Sequence, residues 1–400
     1  MKVALVGCGQ MGRAAAYALF TTAGTEELVL LDRDARRAAD VSDWLSGLDV
    51  SGAGPAAMVS VATDIDEALT GSDVVAMAMP WAPTESAVRA AVRAGLPVAA
   101  ITRPPTSALP ALEAETRAAG GTVLLPIGLE PGLTELLAVY LAQRLDTVRT
   151  LEICCGGVPA GPRRPLGYTA FFGGENDYHL PIAQRESLAL RGGRPVHHPR
   201  FSGVVSRDYQ GVGRLEAYHD GMAPWLGEHP ALREADCTQK TLRWPGFAQA
   251  VTDLARLGLL ADEPVDVDGV HVVPRRLVER VLAPQVRARP GDRDVVVLEL
   301  TAHGVLDGSP AAFRTTVVDT ADETTGLSAM ARTTGFTLAA ATELLAERAV
   351  VGTGWLKPHL ALSQELTERV MRSLSARGVR WLPAHQMPDT VRPDLSREPT

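Results

Sequence analysis

A glycine-rich turn near the start of the chain constrains the fold more than any other feature of the sequence. Gly7-Cys8-Gly9-Gln10-Met11-Gly12 follows the apolar run Met1 to Val6 and precedes an alanine-rich stretch. In this G-x-G-x-x-G spacing, Gly7 permits a tight turn, Gly9 lets the backbone approach a pyrophosphate, and Gly12 lets the helix pack on the strand. Gln10 and Met11 would be the first residues of the helix, where free backbone N–H groups can bind a phosphate. The pattern predicts a dinucleotide-binding turn, although a glycine turn that binds nothing stays possible.

An acidic residue lies at the distance from the glycine turn that is typical of dinucleotide-binding proteins. The apolar run Leu28 to Leu31 ends at Asp32, which lies 32 − 12 = 20 residues beyond Gly12. A carboxylate there bonds the adenosine ribose hydroxyls and repels a 2′-phosphate, so NAD is favoured over NADP. Neighbouring Arg33 could stack on adenine or offset that repulsion, which leaves NADP as the alternative.

Further apolar runs alternate with helical patterns along the first third of the chain. They cover residues 58–61, 73–79, 97–101 and 122–125. Because such runs suit strands that are buried on both faces, they predict an α/β fold: a Rossmann doubly wound sheet with six parallel strands. The carboxyl ends of its strands would bring Met79, Pro80, Thr102 and Gly128 to the cofactor. Trp81 would wall the substrate pocket, or belong to the core.

The pattern of strand-like and helical segments changes after residue 130. Glycine-rich segments and strand-like runs replace the helical alternation, and His303-Gly304 with Asp307-Gly308 indicates an antiparallel hairpin. We therefore expect a dinucleotide-binding Rossmann domain at 1–130 and an α+β substrate and dimerisation domain with a mixed or antiparallel sheet at 131–325. C-terminal helices at 326–382 would return to the Rossmann domain, before a loose tail at 383–400.

Charge and composition argue against several classes of partner. The net charge of −8 repels phosphate backbones and anionic lipid, so neither nucleic acid nor membrane is an expected partner. No apolar run is long enough for a membrane span. The four cysteines have no metal-binding spacing, so we expect no metal site and a reducing cytoplasm.

Five motifs in order resemble one protein family. They are the glycine turn with Asp32, the segments 128–132 (GLEPG), 156–168 (GGVPAGPRRPLGY) and 240–246 (KTLRWPG), and the segment 329–335 (AMARTTG). Together they resemble the saccharopine dehydrogenase family over roughly residues 1–380, with lysine 6-dehydrogenases as the nearest likeness. The resemblance implies NAD(P)-linked hydride exchange at an amine-bearing carbon of a small-molecule amino acid or amine, and a homodimer.

Several positions depart from the family pattern on the expected substrate side. Glu130 stands where saccharopine reductases usually have Asp and where lysine 6-dehydrogenases often have an apolar residue. Phe247 follows the Arg-Trp-Pro-Gly run where His is common, and Thr102-Arg103-Pro104-Pro105 replaces the usual loop. The substrate is therefore less determined by the sequence than the cofactor or the type of reaction.

The chemistry implied by the resemblance requires a base, because an ammonium group must lose a proton before hydride can leave the neighbouring carbon. Glu130 is the first candidate for this catalytic base, or else it complements the dipole of the following helix. Tyr168 could bond the amine, or lie in the core. Arg243 and Lys240 suit the α-carboxylate of an amino acid, or lie on a solvated strand face.

Three functions remain open at this point. The first is oxidative deamination of the side-chain amine of lysine or a similar basic amino acid, which gives a semialdehyde that cyclises. The second is a saccharopine-type oxidoreductase that forms or cleaves a secondary amine in specialised biosynthesis. The third is a dinucleotide-binding protein without catalysis.

Overall fold

The computed structural model describes residues 1–48, 57–171 and 180–387. The strands within those ranges are β1 (Lys2–Val6), β2 (Glu27–Leu31), β3 (Met58–Val61), β4 (Val74–Met77), β5 (Val98–Ala100), β6 (Thr122–Leu124), β7 (Thr147–Pro159), β8 (Glu186–Arg191), β9 (Arg194–Pro199), β10 (Val205–Tyr209), β11 (Gly213–His219), β12 (Asp236–Arg243), β13 (Val265–Val267), β14 (Val270–Val272), β15 (Asp294–Leu306), β16 (Ser309–Thr320), β17 (Gly354–Leu356) and β18 (Arg380–Gln386).

The α-helices of the same ranges are α1 (Gln10–Phe20), α2 (Ala35–Ser46), α3 (Ile65–Leu69), α4 (Trp81–Arg93), α5 (Leu109–Ala118), α6 (Leu133–Ala142), α7 (Phe247–Arg256), α8 (Pro274–Val286), α9 (Ala329–Ala346), α10 (Pro358–Ala361) and α11 (Gln364–Ala376). The chain divides into two compact units. The first comprises Met1–Tyr140 with Glu323–Trp381, and the second comprises Leu141–Asp322 with the chain from Leu382 onward.

The first unit contains a parallel sheet in the order β17-β6-β5-β4-β1-β2-β3. Its six N-terminal strands have the order 3-2-1-4-5-6, so the predicted Rossmann fold is confirmed. A seventh strand, β17, pairs in parallel with β6, and Trp355 donates from Nε1 to the carbonyl oxygen of Leu125 at 2.7 Å. The sequence predicted six strands and a return segment made of helices only. This detail is wrong, because β17 is too short to show a strand pattern.

Helix α9 of the return segment packs along α1 in the same unit. Gly335 makes the close approach possible, since a Cβ there would stand 2.6 Å from both the amide nitrogen of Ala15 and the carbonyl oxygen of Met11. Small residues on both helices therefore let α9 lie directly beside the helix that follows the glycine turn.

The second unit contains a mixed sheet of nine strands. Its main path is β10-β11-β12-β7-β15-β16-β18, and β8 joins it beside β12 and carries β9. Strands β12 and β7 pair in parallel, whereas β15 pairs in antiparallel fashion with β7 and β16. The prediction of a second domain with a mixed sheet is thus confirmed.

The hairpin predicted near residues 303–308 connects β15 and β16. Asp307 and Gly308 form its turn, with φ of 50° and 72°. Two consecutive positive φ values are typical of a type I′ turn, whose twist matches the flanking strands. His303 and Gly304 lie inside β15 instead, where the register with β7 shifts.

The end of the chain differs from the expected loose tail. Residues 383–386 belong to β18, which extends the second sheet beside β16. The hydroxyl of Thr315 donates to the carbonyl oxygen of Leu382 at 2.8 Å, and the amide of Met387 donates to the carbonyl oxygen of Ala312 at 2.8 Å. The remainder of the predicted tail, residues 388–400, lies outside the described residues.

Candidate functional site

The glycine turn of the first unit has a shape that only glycine permits. Gly7 has φ of 98°, and a Cβ there would stand 2.5 Å from the carbonyl oxygen of Ala78 and 2.7 Å from Cγ of Met79. A Cβ on Gly12 would overlap the carbonyl oxygen of Gly7. The amide of Gly7 donates to the carbonyl oxygen of Leu31 at 2.7 Å, which ties the turn to the end of β2.

The start of α1 fits the pyrophosphate of a dinucleotide. A Cβ on Gly9 would meet nothing within 4 Å, so the space beside this residue is open. Helix α1 begins at Gln10 with no side-chain cap and no acidic residue in its first turn. Gln10 is exposed and Met11 is half-buried. An uncapped helix start with open space beside a glycine is the arrangement that accepts phosphate oxygens.

Asp32 lies at the carboxyl end of β2, next to this turn. One carboxylate oxygen accepts from the amide of Cys8 at 2.7 Å and the other accepts from the amide of Asp34 at 2.9 Å. Burial, and then the charge of Asp32, raise the pKa of the Cys8 thiol to about 12. The carboxylate is therefore held beside the turn by backbone donors, and Arg33 next to it is exposed.

The ends of β4, β5 and β6 meet beside the glycine turn. The Thr102 hydroxyl donates a short hydrogen bond to the carbonyl oxygen of Met79. A Cβ on Gly128 would lie 3.1 Å from Cγ2 of Thr334, a residue of α9. Pro80 is exposed at the start of α4, and Trp81 is its half-buried first residue. The structure thus brings the predicted cofactor residues of the first unit to one edge of the sheet, and adds Thr334 to them.

Glu130 stands on a tight turn at the same edge. The amide of Gly128 donates to the carbonyl oxygen of Pro131 at 3.0 Å, and the amide of Leu133 donates to the carbonyl oxygen of Gly128 at 2.8 Å. Gly132 has φ of 134°. Glu130 is exposed at the tip, and the buried helix α6 begins three residues later. The turn therefore presents a carboxylate at the carboxyl end of the parallel sheet.

A second acid supports this turn, and sequence reasoning missed it. Glu135 is only 3% exposed, and one of its carboxylate oxygens accepts from the amide of Gly132 at 2.5 Å and from the Thr134 hydroxyl at 2.9 Å. Burial raises its pKa, while these two hydrogen bonds and the charge of Arg103 lower it in part. The bond from Glu135 to the Gly132 amide resembles the glutamate half of a capping box, but glycine stands where that motif has Ser or Thr, so the sequence pattern did not indicate it.

In the second unit, Tyr168 lies in the core. It is 2% exposed, its ring centre is 5.9 Å from that of Phe247, and the Arg243 guanidinium lies 5.4 Å from its ring centre. Burial raises the pKa of Tyr168, and the charge of Arg243 offsets this in part. The core position expected as the alternative is the one observed, and a catalytic role for Tyr168 stays a prediction.

The two cations predicted for the substrate carboxylate do not come together. Both lie on β12, where residues three apart point to opposite faces of a sheet. The Lys240 ammonium donates to the carbonyl oxygen of Gly203 at 3.1 Å and lies 3.9 Å from a Glu152 carboxylate oxygen. The Arg243 guanidinium donates to the carbonyl oxygen of Leu242 at 2.8 Å. Both are buried on an inner strand rather than on a solvated face.

A second acidic centre in this unit was also missed by sequence reasoning. Asp220 accepts hydrogen bonds from Arg200, Arg185 and Thr241. Burial would raise its pKa, but the hydrogen bonds from the two arginines and the threonine bring the pKa below its usual value. Phe201, which follows Arg200 in the chain, has φ of 69°, an unusual conformation for a bulky residue. These residues share no sequence motif, so no pattern indicated them.

Among the described residues, no three His, Cys, Asp or Glu side chains are grouped so that they could hold a metal ion. Within residues 1–48, 57–171 and 180–387, no helix has the length and apolar character that a bilayer crossing requires.

Comparison with known proteins relates both units to known families. A family model described as the saccharopine dehydrogenase C-terminal domain matches residues 128–379. A second, described as NADP oxidoreductase coenzyme F420-dependent, matches residues 2–99. Saccharopine dehydrogenase [NADP(+), L-glutamate-forming] of Saccharomyces cerevisiae is 22% identical over 391 residues, which cover 78% of this chain and 83% of the relative.

Two further similarities differ in how much they cover. Carboxynorspermidine synthase of Vibrio cholerae is 24% identical over 199 residues, and the match spans 48% of this chain and about half (45%) of that relative. The apo structure of the Saccharomyces cerevisiae saccharopine dehydrogenase has a TM-score of 0.77 at 20% identity, and the alignment covers 97% of this chain and 100% of that one. This structural likeness supports the fold.

Proposed function

This chain belongs to the saccharopine dehydrogenase family, and on that premise we propose that it is an NAD(P)-dependent oxidoreductase that acts on the C–N bond of an amino acid. One observation carries the proposal: an exposed Glu130 carboxylate and an open glycine turn stand at the same edge of one parallel sheet. Crevices at the carboxyl ends of parallel strands are where such folds bind dinucleotides and their substrates.

The residues of the first unit have distinct roles in this proposal. Gly7, Gly9 and Gly12 with the start of α1 hold the pyrophosphate, and Asp32 holds the adenosine ribose. When bound, the nicotinamide cofactor accepts or supplies hydride. Glu130 binds the cationic amine and takes its proton, because a side-chain ammonium with a pKa of about 10.4 has no lone pair to release hydride from the adjoining carbon.

Of the two substrate classes that the sequence leaves open, we place a secondary amine between two amino-acid parts first. Glu130 is an acid, as is usual in saccharopine reductases, whereas lysine 6-dehydrogenases often have an apolar residue there. The similar yeast protein is named as an L-glutamate-forming enzyme, which agrees with this order. Oxidation of the primary side-chain amine of lysine is the second candidate, because the motifs resemble those of lysine 6-dehydrogenases.

A spectrophotometric screen tests the proposal. NAD and NADP would be offered with lysine, ornithine, saccharopine and related secondary amines, and the reverse reaction with amine and keto-acid pairs. We expect nicotinamide reduction with a secondary amine, and its reversal with the matching pair. Turnover of lysine alone would select the second candidate. Cofactor binding by calorimetry without turnover of any amine would contradict catalysis and leave a non-catalytic dinucleotide-binding protein.

A variant pair isolates the role of Glu130. Glu130→Gln removes the base but keeps a similar shape, so we expect kcat to fall by about 10²–10⁴ while cofactor affinity stays constant. Glu26→Gln is the matched control, because Glu26 is an exposed acid of the same unit. Equal rates for the two variants would exclude Glu130 as the proton-transfer group.

A further inference from the structure

Arg103 follows the carboxyl end of β5, in the segment where this chain departs from the family pattern. Its side chain is exposed. Within the described residues, the Arg103 guanidinium donates to no protein acceptor and forms no ion pair. By contrast, Arg89 of α4 and Arg117 of α5 each pair with a glutamate. The donors of Arg103 are therefore available to a bound molecule.

The backbone on both sides of Arg103 is restrained. The Thr102 hydroxyl donates a short hydrogen bond to the carbonyl oxygen of Met79, which joins this loop to the end of β4. Pro104 and Pro105 follow, and Pro104 is buried. Because a proline ring holds φ near about −65°, the chain on this side has little freedom. Arg103 is thus held at the edge of the sheet where such folds bind their ligands.

The end of β5 contacts the turn that carries Glu130. The amide of Ile127 donates to the carbonyl oxygen of Ala100 at 2.8 Å. A Cβ on Gly128 would lie 3.5 Å from Cβ of Ile101. The loop of Arg103 and the turn of Glu130 therefore begin from backbone segments that touch each other.

Electrostatics also relates the Arg103 guanidinium to this turn. Burial raises the pKa of Glu135, and the charge of Arg103 is among the causes that lower it in part. Glu135 accepts from the amide of Gly132, two residues after Glu130. Because coulombic interactions weaken with distance, a cation that acts on Glu135 lies near the base of the turn.

An anionic group and a cationic group at one place are complementary to the amine and the carboxylate of an α-amino acid. The planar guanidinium of an arginine can bind a carboxylate through two parallel hydrogen bonds. In a secondary amine between two amino-acid parts, the nitrogen is bonded to a carbon that carries a carboxylate. In lysine, by contrast, the whole side chain separates the terminal amine from the carboxylate.

We propose that Arg103 binds the carboxylate next to the reacting nitrogen, so that the substrate is an N-substituted α-amino acid. The inference rests on the proposed function for the role of Glu130, and it adds a residue of the first unit that selects the substrate. Arg103 binds and orients the substrate, whereas the proton transfer belongs to Glu130.

Binding of matched ligands tests this assignment. L-glutamate, L-alanine and L-lysine would each be compared with the amine that lacks the α-carboxylate, namely 4-aminobutyrate, ethylamine and cadaverine. The Kd of each ligand follows from the rise in Tm of the full chain with excess NADH and NADPH. We expect the wild type to bind at least one amino acid at least about tenfold more tightly than its amine, because the amine lacks a charge-assisted pair. Absence of any such preference would overturn the inference.

Three variants assign the preference to a residue. Arg103→Met should raise the Kd of that amino acid at least about tenfold and leave the Kd of its amine unchanged. Arg103→Lys should lie between the two, since an ammonium keeps the charge but not the two parallel bonds. Arg93→Met is the matched control, because Arg93 is exposed in the last turn of α4, near the amino ends of the strands. A preference that Arg103→Met retains, or that Arg93→Met also removes, would contradict the assignment.

Kinetics separates this inference from the proposed function. For an amine that the wild type turns over, Arg103→Met should raise KM at least about tenfold and change kcat by less than about threefold, whereas Glu130→Gln lowers kcat. Turnover with an unchanged KM in Arg103→Met would overturn the inference and leave the proposed function intact. A preference that depends on Arg103, without turnover of any amine, would overturn the proposed function and leave the carboxylate site.

Discussion

Under the proposed function, Asp32 is the residue on which we expect the choice between NAD and NADP to depend. Its carboxylate is fixed by the amides of Cys8 and Asp34, so its negative charge stays at the end of β2. For Asp32→Asn we expect the ratio of the Kd for NADP to the Kd for NAD to fall at least about tenfold, because a 2′-phosphate no longer meets a carboxylate. Calorimetry with both cofactors measures this. Asp34→Asn is the control, because it removes a negative charge two residues away. An equal fall in the Kd ratio for this variant would show that any nearby negative charge has the effect, and would contradict a specific role of Asp32.

Glu135 gives a pH dependence of known sign. Burial raises the pKa of Glu135 in the folded protein, so folding favours the protonated carboxyl group. This contribution to stability is complete below the unfolded pKa of about 4.3, and it is lost as pH rises through the higher pKa of the folded state. Glu135→Gln keeps one oxygen for both hydrogen bonds and removes the buried charge. We expect the variant to match the wild type near pH 4 and to become more stable than it towards neutral pH, in denaturant titrations. Glu135→Ala should lose about 1 kcal/mol through the lost cap.

Glu67 is the matched control of opposite sign. Its carboxylate accepts from the Thr63 amide and hydroxyl, and these bonds lower its pKa. The wild type therefore gains stability from this residue above the unfolded pKa and loses it as pH falls through the folded pKa. Glu67→Gln should thus become less stable than the wild type towards neutral pH. The same pH slope for both glutamine variants would refute the assignment of Glu135.

The candidate site was predictable where backbone geometry alone imposes residue type. Gly7 and Gly12 have no room for a Cβ, so the structure requires the motif that the sequence displays. Contacts between side chains were not predictable in this way. Lys240 and Arg243 are near in sequence, but strand alternation separates them, and Asp220 meets its arginines only through the tertiary fold.

At the level of elements, the contact of α9 with α1 depends on Gly335. A Cβ there would press on the backbone of Met11 and Ala15, so we expect Gly335→Ala to destabilise the protein by about 1–3 kcal/mol in urea unfolding. Gly24→Ala is the control, because a Cβ on Gly24 meets nothing within 4 Å. Equal urea-unfolding midpoints for the two variants would contradict the prediction, because they would show that the contact of α9 with α1 tolerates a Cβ at position 335.

Strands were predicted well where both faces are buried and poorly elsewhere. β4 and the part of β1 after Lys2 are continuous apolar runs, and such runs have few alternatives. β9 reads Arg-Pro-Val-His-His-Pro, with exposed residues and two prolines, so its strand character depends on pairing with β8. β17 has three residues, and the neighbouring β6 rather than local preference makes it a strand.

At the level of the whole molecule, the first unit is built from two distant parts of the chain. Residues 323–381 contribute α9, which is buried along most of its length, and β17, which extends the sheet. Phe336, Leu338, Leu344 and Leu345 are among its buried residues. Because burial of one such side chain contributes about 1.5–3 kcal/mol, these four contribute about 6–12 kcal/mol. That is comparable with the whole stability of a domain.

A chain that ends at Asp322 should therefore lose the fold of its first unit, although the glycine turn and Asp32 remain in its sequence. Without α9 beside α1 and β17 beside β6, we expect the amides of residues 1–140 to lose their protection against hydrogen exchange. For the same reason we expect calorimetry to detect no NAD binding. Adding residues 323–381 as a separate polypeptide should restore both signals at least in part, since the missing contacts are non-covalent. NAD binding by the truncated chain alone, with wild-type affinity, would show that the return segment is dispensable and that the dinucleotide site folds from the first 140 residues.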